Sequence, residues 1–173
     1  MLYTRKGDDG KTTAFECSQR FSKSSAIAEA LGSLDELNSF LGIVKAKSQQ
    51  LIAKSLREIQ ENLFIIQAQV AGVDKKISDR KIKEVEKIID DIEKEIPPLK
   101  SFIIPGANEI SAMFDFVRTL ARKTERRVVA VSEENIIIDS NTLKYLNRLS
   151  SLLYALARLS AFESCKEESH PSY

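Results

Sequence analysis

The sequence predicts an all-α fold: a five-helix antiparallel bundle with an extended N-terminal loop. Three observations lead to the bundle. Apolar residues recur at three- and four-residue steps along five long segments, the spacing that lines one face of a helix. All four prolines fall outside those segments. The β-like runs Phe102–Ile104 and Ile136–Ile138 are too short and isolated to build a sheet. No repeat or low-complexity linker divides the 173 residues, so one domain is expected: residues 1–23 as an N-terminal segment, about 25–165 as the bundle and 166–173 as a polar tail.

The N-terminal segment reads T-R-K-G-D-D-G-K-T-T from Thr4 to Thr13, with Lys23 just beyond. Gly7 and Gly10 permit backbone geometry closed to other residues and leave amides able to face an anion. Arg5, Lys11 and Lys23 add positive charge, and Asp8 and Asp9 could hold a divalent cation. That is the composition of a triphosphate–Mg²⁺ site, although the G-x-x-x-x-G-K-[ST] pattern of P-loops is absent. A solvated tail containing a turn would have the same composition.

The first helix is expected over about Ser25–Lys47, carried by Ile27, Leu31, Leu34, Leu37, Leu41 and Val44. The second runs from about Gln49 to Ala71 on Leu56, Ile59, Leu63, Ile66 and Val70, and Gly72 can stop it. Ser78 or Asp79 can cap a third helix with Ile82, Val85, Ile89, Ile92 and Ile96 on one face, and Pro97-Pro98 ends it. After a short extended piece and a Pro105-Gly106 turn, a fourth helix spans roughly Asn108–Val131, with Met113, Phe114, Val117, Ala121, Thr124 and Val128 facing inward. The fifth begins near Asp139 or Ser140 and continues through Leu143, Leu146, Leu149, Leu153, Leu156 and Leu159.

The totals narrow the function. Lys+Arg 26 against Asp+Glu 25 gives a formal charge of +1, which leaves no global field to recruit nucleic acid. No apolar run reaches membrane-spanning length and no hydrophobic signal segment opens the chain, so a cytoplasmic protein away from membranes is expected. Cys17 and Cys165 could pair, but without a histidine partner they make no zinc pattern. No metal ligand set is expected from the protein itself. His170, the only histidine, reads as a solvated residue of the tail. Without a Ser-His or Cys-His pair, covalent catalysis has no footing. A reaction whose nucleophile belongs to another molecule suits the inventory, the protein supplying orientation and electrostatic stabilisation.

Several polar groups exceed what a bundle needs. Arg118, Arg122, Glu125 and Arg126 share one flank of the fourth helix. A charged outer face would account for them, yet the flank adjoins the apolar stripe, and Asp35-Glu36 interrupts a core-facing part of the first helix. Asp35 with Arg118 is the expected ion pair, which would leave Arg122 and Arg126 for phosphates or a neighbouring subunit. Glu125 and Asp35 could serve as general acid or base, but they are better explained as partners of arginine. Asn147 is either a satisfied core amide or a contact to adenine or ribose.

Four blocks in order carry a resemblance over nearly the whole length: T-R-K-G-D-D-G-K-T from Thr4, G-S-L-D-E-L-N-S-F-L-G from Gly32, F-I-I-P-G from Phe102 with R-T-L-A-R-K-T-E-R-R from Arg118, and Y-L-N-R-L-S from Tyr145. The chain resembles the PduO-type ATP:corrinoid adenosyltransferases. The resemblance implies a trimer of five-helix bundles with active sites between subunits, moving the 5′-deoxyadenosyl group of ATP to the cobalt of cob(I)alamin, with Mg²⁺ beside the ATP and triphosphate released. It also implies an electron-supplying corrinoid or flavin reductase and an adenosylcobalamin-dependent enzyme as partners. Carried over by position, Thr4 to Thr12, including Arg5, Gly7, Asp8 and Gly10, would bind ATP, with Lys23 on its phosphates. Arg122, Glu125, Arg126 and Asn147 would complete the nucleotide site. Asp35 and Arg118 would form an intersubunit pair near the corrinoid, and Phe102 would pack on the corrinoid and keep the lower ligand off cobalt.

Four positions depart from the family pattern: Ala107 in place of a glycine, Lys123 of an arginine, Asp115 of a histidine and Ser151 of an aspartate. They are expected to affect surrounding contacts or corrinoid preference. Two other readings use the same bundle: a non-catalytic sensor of ATP or corrinoid, and a structural bundle that oligomerises through its charged flank.

Overall fold

A computed structural model describes residues 3, 5–13, 20–99, 101–134, 136–166 and 168–172, with the side chain of Leu51 set aside. A short antiparallel hairpin, β1 (Lys11–Thr13) and β2 (Arg20–Ser22), leads into five helices: α1 (Ala26–Lys47), α2 (Gln50–Val70), α3 (Asp79–Glu95), α4 (Glu109–Glu133) and α5 (Ser140–Glu163). The helices match the five expected segments. The hairpin was not anticipated, since strands of three residues, K-T-T and R-F-S, carry no alternating apolar pattern. Ile136–Ile138 forms no strand; Ile136 and Ile138 pack against the core while Ile137 points out.

Local chemistry sets where the helices begin. The Ser25 hydroxyl accepts the Ala28 amide, and Asp139 accepts the Asn141 amide. Asn108 and Ser111 form a reciprocal capping box at the start of α4.

Side-chain ties between helices give their directions. Ser33 and Glu36 of α1 meet Thr124 and Lys123 of α4, whereas Lys47 meets Glu109, so the two run antiparallel. Asn108 reaches Ser160 as Glu125 reaches Asn147, which makes α4 and α5 antiparallel as well. Asn141 touches Asp79, Arg148 touches Glu86 and Arg158 touches Pro97, so α3 and α5 run parallel. Successive helices thus alternate in direction. The 96–108 connection crosses the end of α5 to link α3 with α4, which are not packed neighbours.

The core is aliphatic, with Leu34, Leu37, Leu41, Leu63, Ile66, Leu146 and Leu149 fully buried. Tyr145 is its largest enclosed side chain. Asn62 donates to the Tyr145 hydroxyl at 3.1 Å, and Lys81 donates to Asn62 Oδ1. Burial pushes the Tyr145 hydroxyl up to about 12.

Candidate active site

The N-terminal segment is a folded loop rather than a bare tail. Gly10 takes φ +77°, a geometry that favours glycine, and its carbonyl accepts the Lys23 amide at 2.9 Å. Lys23 Nζ donates back to the Gly7 carbonyl at 2.8 Å. A Cβ on Gly7 would lie 3.1 Å from that ammonium, so the absence of a side chain permits the close approach. Arg5 also has a positive φ, +60°. Hairpin pairing sets Thr13 opposite Arg20 and Lys11 opposite Ser22.

Lys6, Gly7, Lys11, Thr12, Thr13, Arg20 and Lys23 line an open cleft of about 660 Å³. Four cations around one cleft make a polyanion cradle. Arg20 belongs to it although its sequence context gave no sign; the loop brings it to Asp9, 2.7 Å away, and to the Lys6 carbonyl. Asp9 is thereby committed to the fold. Its carboxyl sits below the ordinary range, chiefly because it accepts the Lys11 amide, with Arg20 adding to the effect. Asp8 is exposed, and its carboxylate has no partner among the described residues. No cluster of three His, Cys, Asp or Glu fit to hold a metal occurs among them. Thr4 and Cys17 lie outside the described residues, and Cys165 is exposed and free.

The second group lies on α4 and α5. Asn147 Nδ2 donates to Glu125 Oε1 at 3.1 Å and accepts from Arg148, which also holds Glu86 of α3. The Asn147 amide is therefore exposed and paired with Glu125 rather than buried in the core. Arg122 and Arg126, one turn apart, are exposed and have no ion-pair partner among the described residues. Lys123 spans to Glu36 at 2.6 Å, so the lysine at this position ties α4 to α1.

The third group surrounds the 96–108 connection. The Phe102 ring is 76% exposed. Below it, Ile103 to Ala107 cover a small cavity of about 40 Å³ lined by Asp115, Arg118, Tyr154, Arg158 and Glu168. Gly106 takes φ +103° whereas Ala107 does not have a positive φ, so alanine is tolerated there. Asp115 replaces the expected histidine inside this cluster. Burial raises its carboxyl against the pull of Arg118, whose Nε is 3.4 Å away. The Arg118 guanidinium lies over the Tyr154 ring at 5.7 Å.

The expected Asp35–Arg118 pair does not form within one chain. Glu36 and Ser33 take the positions that face α4, which turns Asp35 toward α2, where it borders an apolar cavity of about 460 Å³ with Leu31, Phe64 and Ala68. Arg118 lies nearer the opposite end of α4 and meets Asp115 instead. His170 also differs from expectation: although exposed, it bonds to Ser101 and Phe102.

A family model described as cobalamin adenosyltransferase matches residues 2–160. The corrinoid adenosyltransferase PduO of Citrobacter freundii is 42% identical over 165 residues, covering 91% of this chain and 49% of that protein. The chain thus spans about half the length of this relative. A second corrinoid adenosyltransferase from Citrobacter freundii is 36% identical over 166 residues, covering 91% of this chain and 93% of the relative. Among solved structures, a variant PduO-type ATP:corrinoid adenosyltransferase from Lactobacillus reuteri, complexed with cobalamin and ATP, matches with a TM-score of 0.93 at 28% identity over 99% of this chain and 96% of that one. With the family model spanning most of the chain and the five-helix fold shared end to end, the chain belongs to the cobalamin adenosyltransferase family.

Proposed function

We propose that this chain transfers the 5′-deoxyadenosyl group of ATP to the cobalt of cob(I)alamin or a related corrinoid. The observation that carries this reading is its whole-length similarity to enzymes solved with cobalamin and ATP. In the transfer, the electron pair of cobalt(I) forms the Co–C5′ bond while the C5′–O bond breaks and triphosphate departs. The chain needs no nucleophile of its own. Its work is to hold ATP in line with cobalt and to stabilise charge gathering on the leaving group.

The cleft beside Gly7 supports a triphosphate role, with Lys23 pre-aimed at it and Arg20, Lys11 and Lys6 around it. Arg122 and Arg126 would meet the anion from the helix side, and the Glu125–Asn147 pair would hold the nucleoside. Mg²⁺ would arrive with ATP, bound chiefly by phosphate oxygens, as suits a chain without a carboxylate cage among its described residues. Asp8, exposed in the same loop, would contact its hydration shell. Phe102, exposed beside the Arg118–Tyr154 pair, would pack on the corrinoid and keep a lower ligand from cobalt.

One chain separates these parts. The hairpin leads into the start of α1, whereas the Phe102 connection enters α4 beside the end of α1, marked by Lys47 and Glu109. The 22 residues of α1 span about 33 Å. Transfer requires C5′ and cobalt to touch, so sites shared between subunits fit this separation, and the resemblance to the family supplies the number, a homotrimer. Asp35 of one subunit and Arg118 of the next would then pair across the interface. No helix among the described residues is long and apolar enough to cross a membrane. We place the protein in the cytoplasm, served by a corrinoid or flavin reductase and supplying an adenosylcobalamin-dependent enzyme.

The test is anaerobic incubation of chemically reduced cob(I)alamin with Mg-ATP. Adenosylcobalamin and triphosphate in equal amounts are expected. Tight binding of ATP and corrinoid without transfer would instead establish a sensor, and loss of both bindings would leave a structural bundle.

A further inference from the structure

The alternating helix directions bring the C-terminal tail and the Phe102 connection to the same end of the bundle, where α5 stops and α4 starts. The tail is anchored there by an enclosed ion pair. Arg158 of α5 donates to Glu168 through Nε at 3.2 Å and Nη2 at 3.3 Å, with side chains only 12% and 22% exposed. Arg158 Nη2 also donates to the Pro97 carbonyl at 2.8 Å, fixing the start of the connection. One residue past Glu168, the Ser169 carbonyl accepts the Ile104 amide at 2.8 Å.

His170 follows. Its Nδ1 lies 2.9 Å from Ser101 Oγ and 2.9 Å from the Phe102 carbonyl oxygen. A carbonyl can only accept, so Nδ1 carries the hydrogen and donates to Phe102. The connection is therefore pinned on both sides of Phe102, while the Phe102 ring stays 76% exposed. Fixed backbone beneath an exposed aromatic presents a rigid contact whose ordering cost was met during folding.

We propose that residues 168–170 form a strap that positions Phe102 for the corrinoid, with His170 as the positioning residue. The inference rests on the role given to Phe102 above. The strap leaves the ATP cradle alone, because the hairpin lies at the other end of α1. It acts through backbone: His170 holds the carbonyl of the residue whose ring meets the ligand, and Ser169 holds the amide two residues later.

The experiment uses cob(II)alamin with ATP and the full-length protein, reading the four-coordinate fraction by electron paramagnetic resonance and ATP affinity by calorimetry. His170→Ala should lower the four-coordinate fraction about five-fold, the loss expected of one hydrogen bond. Its ATP affinity and melting temperature should match the parent. His170→Asn should recover most of the loss, since its amide can donate from the position of Nδ1. Hydrogen exchange at the Ile104 amide should quicken in His170→Ala. Glu168→Gln, which weakens the anchor, should move the fraction the same way.

Phe102→Ala separates the strap from the reading beneath it. If Phe102→Ala abolishes the four-coordinate species while His170→Ala and Glu168→Gln form it like the parent, the strap is overturned and the Phe102 role stands. If Phe102→Ala has no effect, the Phe102 role fails and the strap fails with it. Equal losses in His170→Ala and His170→Asn would also reject it, because the hydrogen bond would not be the cause.

Discussion

Lys23 is aimed before any nucleotide arrives: its ammonium rests on the Gly7 carbonyl, and its amide on the Gly10 carbonyl. Exchanging one carbonyl for a phosphate costs little reorganisation, so Lys23→Ala should raise the KM for ATP by about ten-fold or more, the worth of a charge-assisted hydrogen bond, with corrinoid KM unchanged in steady-state assays. Among the described residues Arg122 has no such resting partner, and its proposed role is to meet the departing triphosphate. Arg122→Ala should cut kcat on the order of a hundred-fold, the usual effect of removing a donor aimed at developing charge. Asp115 offers a stability test. Its folded-state pKa is raised, above all by burial, so its contribution is fully present below 3.8 and is lost as pH rises through the raised value. Denaturant midpoints of the parent should fall across that window relative to Asp115→Asn, which has no charge to bury. The roles proposed for Lys23, Arg122 and Asn147 were suggested by sequence because these residues sit in dense polar blocks. Arg20 and His170 were not: each acts through a partner more than ten residues away, with no local spacing to advertise it.

The elements differ in how strongly they depend on the rest of the chain. The five helices follow from apolar periodicity, and their starts from Ser25, Asn108 and Asp139, all readable without a structure. The hairpin was not readable, since its strands are held by the turn at Gly7–Gly10 and by Arg20 rather than by an apolar face. That makes it separable. Gly10→Val should be strained at φ +77° by about 1–2 kcal/mol, a cost borne by the loop. ATP affinity should drop while the melting temperature of the bundle stays within a degree or so, since the described residues of the hairpin pack broadly against no helix. A matching fall in melting temperature, followed by circular dichroism, would show instead that the hairpin is part of the cooperative unit.

At the scale of the molecule, the hairpin proposed for ATP and the Phe102 connection proposed for the corrinoid stand at opposite ends of α1, which makes sharing between subunits a measurable property. Lys23→Ala and Arg122→Ala act on different elements of the proposed ATP site, the loop and α4. Co-refolded in equal amounts and assayed at ATP well below the parental KM, the two impaired variants should reach about a quarter of parental activity if every site takes its loop from one subunit and its α4 from the next. A site confined to one chain would show only the average of the two variants, about a twentieth. This separation could not be read from the sequence; that the Phe102 connection enters α4 at the far end of the helix that follows Lys23 emerges only once helix directions are known. The core itself supplies a gauge for such experiments. The chain has no tryptophan and four tyrosines, and Tyr145 is wholly enclosed with its hydroxyl raised to about 12. In an alkaline titration its ultraviolet tyrosinate band should therefore lag behind that of exposed tyrosines and emerge as the bundle opens, a colourless clock of unfolding that runs in a spectral region apart from the visible bands of a corrinoid.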